Sequence, residues 1–242
     1  AKFELLRTRE YMPLVLNSEG VKLALDPRLM DGVDASLVDP RDPRLKIIMM
    51  LVNAMDYYYS HPKATQMIFM EMGHKDSAKR VVGRDNDGKP ITENVKIFNL
   101  GKEIKRRLME EGVPESEIAL FSNMNKEQRA EAARAMNRGE IRFAIGGTET
   151  LGTGVNAQEN LVAMHHLDAP WMPGALEQRN GRGFRQGNRW NTVHEHRYLT
   201  EGPQDGRRWQ VLLTKDRFIN RFMHHKGDER IIDMSDVDMD EE

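Results

Sequence analysis

Residues 145–188 read IGGTETLGTGVNAQENLVAMHHLDAPWMPGALEQRNGRGFRQGN, and this stretch decides how the rest of the chain is read. An apolar run ends in a glycine-broken turn, a second apolar run ends in a tryptophan–proline loop, and then Gln178, Arg182 and Arg185 recur at helical spacing. Steps of three and four residues place side chains on one helix face, so these three can converge on one anion. Two guanidiniums aimed at one place repel unless a negative group sits between them, and phosphate suits their forked donors. The plainer alternative is a solvated arginine face laced with salt bridges. Gly181, Gly183 and Gly187 weigh against it, because glycines weaken a helix and no packing gain is evident from sequence.

The stretch also carries a family resemblance. GTETLGTGVN followed by QRNGRGFRQGN resembles motifs V and VI of superfamily 2 helicases and translocases. HLDAPWMP resembles the D-x-x-W-N-P loop of Swi/Snf-type remodellers, with Met172 where those carry Asn. HHLDAPW, EQRNGRGFRQGN and YLTEG together are similar to the helicase part of very large phage and mobile-element proteins. Those proteins join a DNA adenine methyltransferase to a Swi/Snf-like helicase and include the DarB-like anti-restriction proteins. The resemblance covers residues 44–222, and motif VI is its most specific part.

Composition sets the outer bounds. A chain of 242 residues with 31% charged residues has room for one large domain with extensions. Mean hydropathy is −0.66, and no run reaches the apolar length of a membrane span, which predicts a soluble protein without a membrane partner. There is no cysteine, so disulfides and thiolate metal sites are excluded. The net charge of −2 hides an asymmetry: 179–189 is strongly basic and DMSDVDMDEE at 233–242 strongly acidic. The start at Ala1, reading straight into a helix-like segment, suggests a piece of a longer chain.

Along the chain, FELLRTREYMPLVL reads as a short helix ended near Pro13, and 26–43 is turn-rich. Residues 1–43 are therefore expected to form a linker or arm. RLKIIMMLVNAMDYYY has the length and apolar content of a buried helix. TQMIFMEM, IALFS, IRFAIGG and LVAMHHLD read as buried strands, and NTVHEHRYLTEG as an alternating one. FNLGKEIKRRLMEEG and NKEQRAEAARAMNRG read as helices closed by Gly112 and Gly139. GHKDSAKRVVGRDNDGKPITENV, with its D-N-D-G turn signal, is a surface loop or small hairpin. RRWQVLLTKDRFINRFM is an amphipathic bracing helix within 201–232, and 233–242 a disordered acidic tail.

Strands alternating with helices and no internal repeat give an α/β fold, a parallel sheet flanked by helices, with the lobe itself at 44–200. His165 and His166 are adjacent in a strand, point to opposite faces and cannot share a metal; they are packing and hydrogen-bonding residues, and no metal site is assigned. Gly152-x-Gly154 brushes against a dinucleotide fingerprint, but a lone GxG is a weak signal and Asp168 falls in the wrong context for it. Asn123, Asn125 and Arg129 sit at a helix N-terminus, which suits a phosphate and equally suits simple capping by Asn125.

The resemblance implies a RecA-like second lobe working in ATP-driven translocation on, or remodelling of, duplex DNA. Arg182 and Arg185 would be arginine fingers to ATP held between two lobes, with Gln178 positioning them or the attacking water. Gly152, Gly154, Asn156 and Asp168 would couple nucleotide binding to the grip on DNA, and Thr148, Thr150, Asn123, Asn125 and Arg129 would contact its backbone. No G-x-x-x-x-G-K-[ST] loop and no D-E-x-H acid pair occurs, so the phosphate cradle and the magnesium ligands are expected in an N-terminal lobe. A catalytically silent nucleic-acid or partner-binding scaffold is the competing expectation.

Overall fold

Thr65–Phe69, strand β1, is five consecutive buried residues, and it lies at the centre of a sheet. Met67 and Phe69 pack to one side against Ala132, Ala133 and Met136, while Ile68 packs to the other with Met50, Ile104 and Leu108. A strand covered on both faces needs apolar side chains in both phases of its pleat, which is why the run shows no polar alternation. A computed structural model describes residues 13–224 of the chain, apart from 31, 85–86, 153–155 and 201–202.

Around β1 the helices and strands alternate. Helix α1 spans Pro13–Leu25 and α2 Lys46–Ser60; after β1 come the hairpin strands β2 (Ser77–Arg84) and β3 (Pro90–Lys96), then α3 (Leu100–Glu110). Strand β4 (Ile118–Leu120), α4 (Lys126–Arg138), β5 (Phe143–Gly146) and the one-turn α5 (Thr148–Leu151) follow. Strand β6 (Leu161–His166), α6 (Pro173–Gly183), β7 (His194–Arg197) and α7 (Pro203–His224) complete the described part. The main sheet has five strands in the order β4-β5-β1-β6-β7, every pair parallel. Parallel pairing requires crossovers, so all five strands end at one edge and the loops that follow them collect there.

Local chemistry sets the helix limits. Asn125 and the Gln128 side chain form a reciprocal capping box at the start of α4. Gly139 closes that helix in the left-handed region (φ 74°), where a Cβ would lie 2.7 Å from Lys63. The polar insertion is the hairpin, antiparallel from Ser77↔Lys96 to Arg84↔Pro90. At the amino end Pro13 is the first residue of a described helix, Pro13–Leu25, and the short helix expected before it lies outside the described residues. The segment that follows packs against α3, with Arg28 buried and donating to Asp26 and to Glu103 of that helix. Residues 1–12 and the acidic tail lie outside the described residues.

Two buried polar systems brace the layers. Lys46 of α2 forms an ion pair with Asp205 of α7 and donates to the Leu167 carbonyl (2.9 Å), fastening two helices to the end of β6. His165 is wholly buried in a hydrogen-bonded chain: Asn53 donates to the Tyr198 hydroxyl (3.0 Å), which donates to His165 Nδ1 (2.8 Å). Its Nε2–H donates to Gln66 Oε1 (2.8 Å), whose amide nitrogen donates to the Ala54 carbonyl (2.8 Å). His165 and His166 thus do the packing and bonding expected of them, on opposite faces of β6. Burial, with His196 beside it, pushes the His165 ring down to about 3.

A neutral buried histidine makes the fold acid-sensitive. The unfolded chain takes up a proton below the ordinary histidine range of about 6.5 and the folded one does not, so stability is complete above that range and falls as pH drops towards 3. The carboxylates that are held low, such as Glu103 at about 2, give up their contribution only further down. Between pH 7.5 and 5 the loss is expected to be about 2 kcal/mol for each such histidine. Urea midpoints at the two values measure it, and an equal or higher midpoint at pH 5 would contradict the assignment.

Candidate functional site

The carboxyl edge of the sheet is built around one side chain. Arg179, on the inner face of α6, is fully buried. Its Nε donates to Thr148 Oγ1 (2.8 Å) after β5, and one terminal nitrogen reaches His166 Nδ1 (3.2 Å) and the Asp168 carbonyl (3.1 Å) beyond β6. The other terminal nitrogen donates to Glu71, two residues past β1, and to Asp168 Oδ1 (3.5 Å). A guanidinium has five N–H donors, and here each has an acceptor. The group also lies over the Phe69 ring, 5.1 Å from its centre.

Glu71 collects the other half of this network. Its Oε1 accepts from the Thr148 amide (3.0 Å), the Thr148 hydroxyl and Arg179, while its own amide donates to Asp168 Oδ2 (2.8 Å). Burial pushes both carboxyls up. At Glu71 the Arg179 charge and the Thr148 bonds outweigh it and hold the group below the usual range; at Asp168 burial wins and the group sits above it. Burial, then the Arg179 charge, drives His166 well below its usual range, which matches an imidazole that accepts from a guanidinium.

The outward-facing arginines lie one turn further along. Arg182 is half-buried and donates through Nε to the Gly152 carbonyl (2.8 Å). Arg185 is exposed; α6 ends at Gly183, so Arg185 lies past the helix and not on its face as its spacing suggested. It turns back to donate to the Gly181 carbonyl (2.8 Å), one of the acceptors a helix end leaves open, and to Asn156 Oδ1 (3.4 Å). Burial, then the charge of Arg185, holds Arg182 below the usual guanidinium range. Arg182, Arg185, Gly152 and Asn156 are therefore brought together, with Gln178 exposed one turn earlier on α6. Gly154 lies outside the described residues.

Other proposed contacts have local duties. Thr148 is buried and spends its hydroxyl on Arg179 and Glu71. Thr150 caps its own short helix through Gly147. Asn125 does the capping already described, Arg129 donates to the Phe121 carbonyl (3.2 Å), and Asn123 remains exposed on a turn packed against α5. Two of the three motif glycines have structural reasons the sequence hid. A Cβ on Gly183 would press Met164 at 2.6 Å, so this glycine does bring α6 close to β6, contrary to the absence of packing gain expected of it. Gly187 takes a positive φ of 91°. Glu71 and Arg179 were missed by sequence reading; the available signals were an acid just past a buried strand and a third arginine one turn before Arg182.

Residues 92–187 match the family of the helicase conserved C-terminal domain. A 67-residue segment is 37% identical to "Defense against restriction protein B" of Escherichia phage P1, covering 28% of this chain and 3% of that protein. The structure resembles the C-terminal part of the Fun30 ATPase domain, with a TM-score of 0.50 at 12% identity over 79% of this chain and 58% of that one. That likeness concerns the fold, a RecA-like parallel sheet flanked by helices. The chain thus spans only a small part of the phage protein and just over half of the Fun30 one.

The glycines allow a direct check. A methyl on Gly152 would sit 2.4 Å from the Thr148 carbonyl, whereas one on Gly181 would meet nothing within 4 Å. Gly152→Ala is expected to destabilise the chain by about 1–3 kcal/mol. Gly181→Ala, in a helix interior, is expected to be neutral or to stabilise by up to about 1 kcal/mol. Thermal unfolding of the two variants measures the contrast; similar shifts in both would contradict this account of the turn.

Proposed function

We propose, from the premise that the chain carries a C-terminal helicase lobe, that this lobe is one half of an ATP-driven DNA translocase. In this reading it faces an N-terminal RecA-like lobe across a cleft and supplies Arg182 and Arg185 to ATP held there. The observation that carries the proposal is the pair itself: two guanidiniums at the carboxyl edge of a parallel sheet, Arg182 bonded to the Gly152 carbonyl and Arg185 to the Gly181 carbonyl and Asn156 Oδ1. Such a pair is stabilised by an anion between its members, and its forked donors fit phosphate.

ATP bound in the cleft, with magnesium held by the other lobe, supplies the phosphoryl group. Charge builds on that group in the transition state, and fixed cations placed there lower the barrier. Arg182 suits the task because its Nε bond to Gly152 holds the stem, so little reorganisation is required. Arg185, exposed and held by Gly181 and Asn156, would close on the same phosphate, and Gln178 would orient the water or the arginines. Asn123 and the Thr148–Gly152 turn, packed beside each other, are the surface proposed to meet the DNA backbone.

The phage relative is named for defence against restriction; a role of this chain in a large phage or mobile-element protein of that kind belongs to the same proposal. In a chain that joins this lobe to its N-terminal partner, Arg182→Ala and Arg185→Ala are each expected to cut DNA-stimulated ATP turnover by roughly a hundredfold while DNA binding is largely retained. Unchanged turnover in both would move these arginines out of the catalytic role. No turnover in the unaltered chain would favour a silent binding lobe.

A further inference from the structure

We propose that Arg179 is a positioning residue, with Glu71 as its counter-charge, which welds the Thr148–Gly152 turn to helix α6 so that the placement of Arg182 and the grip of the turn cannot change independently. The proposal rests on the reading of this lobe as a translocase half, which gives the turn something to grip and Arg182 something to meet.

Its basis is a pair of matched rungs. Arg179 donates to Thr148 Oγ1 and Arg182, three residues later, donates to the carbonyl of Gly152, four residues after Thr148 (both 2.8 Å). The turn is itself closed by Gly152 N donating to Thr148 O (2.7 Å). One helical turn of α6 is thereby laid along one turn of backbone and fastened at both ends. Sliding or tilting either element would break a charge-assisted bond, and at the Arg179 rung the site is closed to water, so no solvent replaces it.

Arg179 is separated from any ligand by its own bonding. All five donors are engaged and the group is fully buried, so it holds no substrate. Glu71 supplies the fixed point, because it extends the central strand of the sheet and accepts both Thr148 donors as well as Arg179. The acceptors of Arg179 come from beyond β1, β5 and β6, a set that only a planar fork reaches at once. A lysine carries the same charge and lacks that reach.

The test uses the chain that joins both lobes, with Arg179→Lys and Glu71→Gln compared with the unaltered protein. Basal and DNA-saturated ATP turnover, DNA affinity and thermal midpoint are measured for each. The expected result is a fall of about tenfold in the ratio of DNA-stimulated to basal turnover for Arg179→Lys, and a smaller fall for Glu71→Gln, with basal turnover and DNA affinity within about threefold of the unaltered protein. Glu71→Gln keeps the shape and an acceptor oxygen, so it guards against simple unfolding. An unchanged ratio in both variants overturns the proposal. So does a parallel loss of basal and stimulated turnover that tracks the thermal midpoint, since that marks a merely structural role. Absence of DNA-stimulated turnover in the unaltered protein overturns the translocase reading first and this inference with it.

Discussion

A guanidinium sealed from water must find an acceptor for each of its five N–H groups, and meeting that demand for Arg179 organises the carboxyl edge of this sheet. The acceptors come from the segments after β1, β5 and β6, so one side chain fixes the mutual placement of three loops and the helix that carries it. The charge balance is uneven in a useful way. Glu71 sits below the usual carboxylate range beside Arg179 and Asp168 above it, so Glu71 is the carboxylate that keeps its negative charge most firmly opposite the buried cation. Removing one member would strand the other in a low-dielectric place, which makes the network costly to perturb.

The three arginines of α6 and its exit have different fates because their surroundings differ. Arg179 faces inward and is spent on structure, Arg182 is half-buried with its Nε bonded to the Gly152 carbonyl, and Arg185 stands past the helix end in solvent. This gradient from clamped to open suits a surface that must be rigid at its base and adaptable at its rim. The Lys46–Asp205 pair applies the same physics elsewhere: a buried cation takes a carboxylate from α7 and a carbonyl after β6, and so ties the last described helix to the lobe.

Much of the fold was legible in the sequence for a plain reason. Buried parallel strands such as TQMIF present apolar side chains on both faces, here Met67 and Phe69 on one and Ile68 on the other, and helices such as 126–138 announce themselves by a cap and a closing glycine. Those signals are local. The network at the sheet edge was not legible because its bonds are not local: Glu71 and Arg179 lie 108 positions apart, and nothing near either one marks the other. The glycines around Thr148 point to a ligand contact, yet its hydroxyl is spent inside the protein. Spacing alone puts Arg185 on the helix, whereas α6 stops at Gly183, where the absence of a Cβ also lets the helix lie close to Met164. Spacing gives which residues are near one another; it does not give which of them are already occupied.

The central claim is that Arg182 and Arg185 meet a phosphate while Arg179 stays in place. A structure of the two-lobed chain with a magnesium-bound transition-state analogue of ATP addresses it most directly. The account predicts guanidinium nitrogens of both outer arginines about 3 Å from the analogue's oxygens, with the Arg179 bonds to Thr148 and Glu71 intact. Outer arginines turned to the DNA backbone or to solvent, or an Arg179 that leaves its network to touch the analogue, would contradict it.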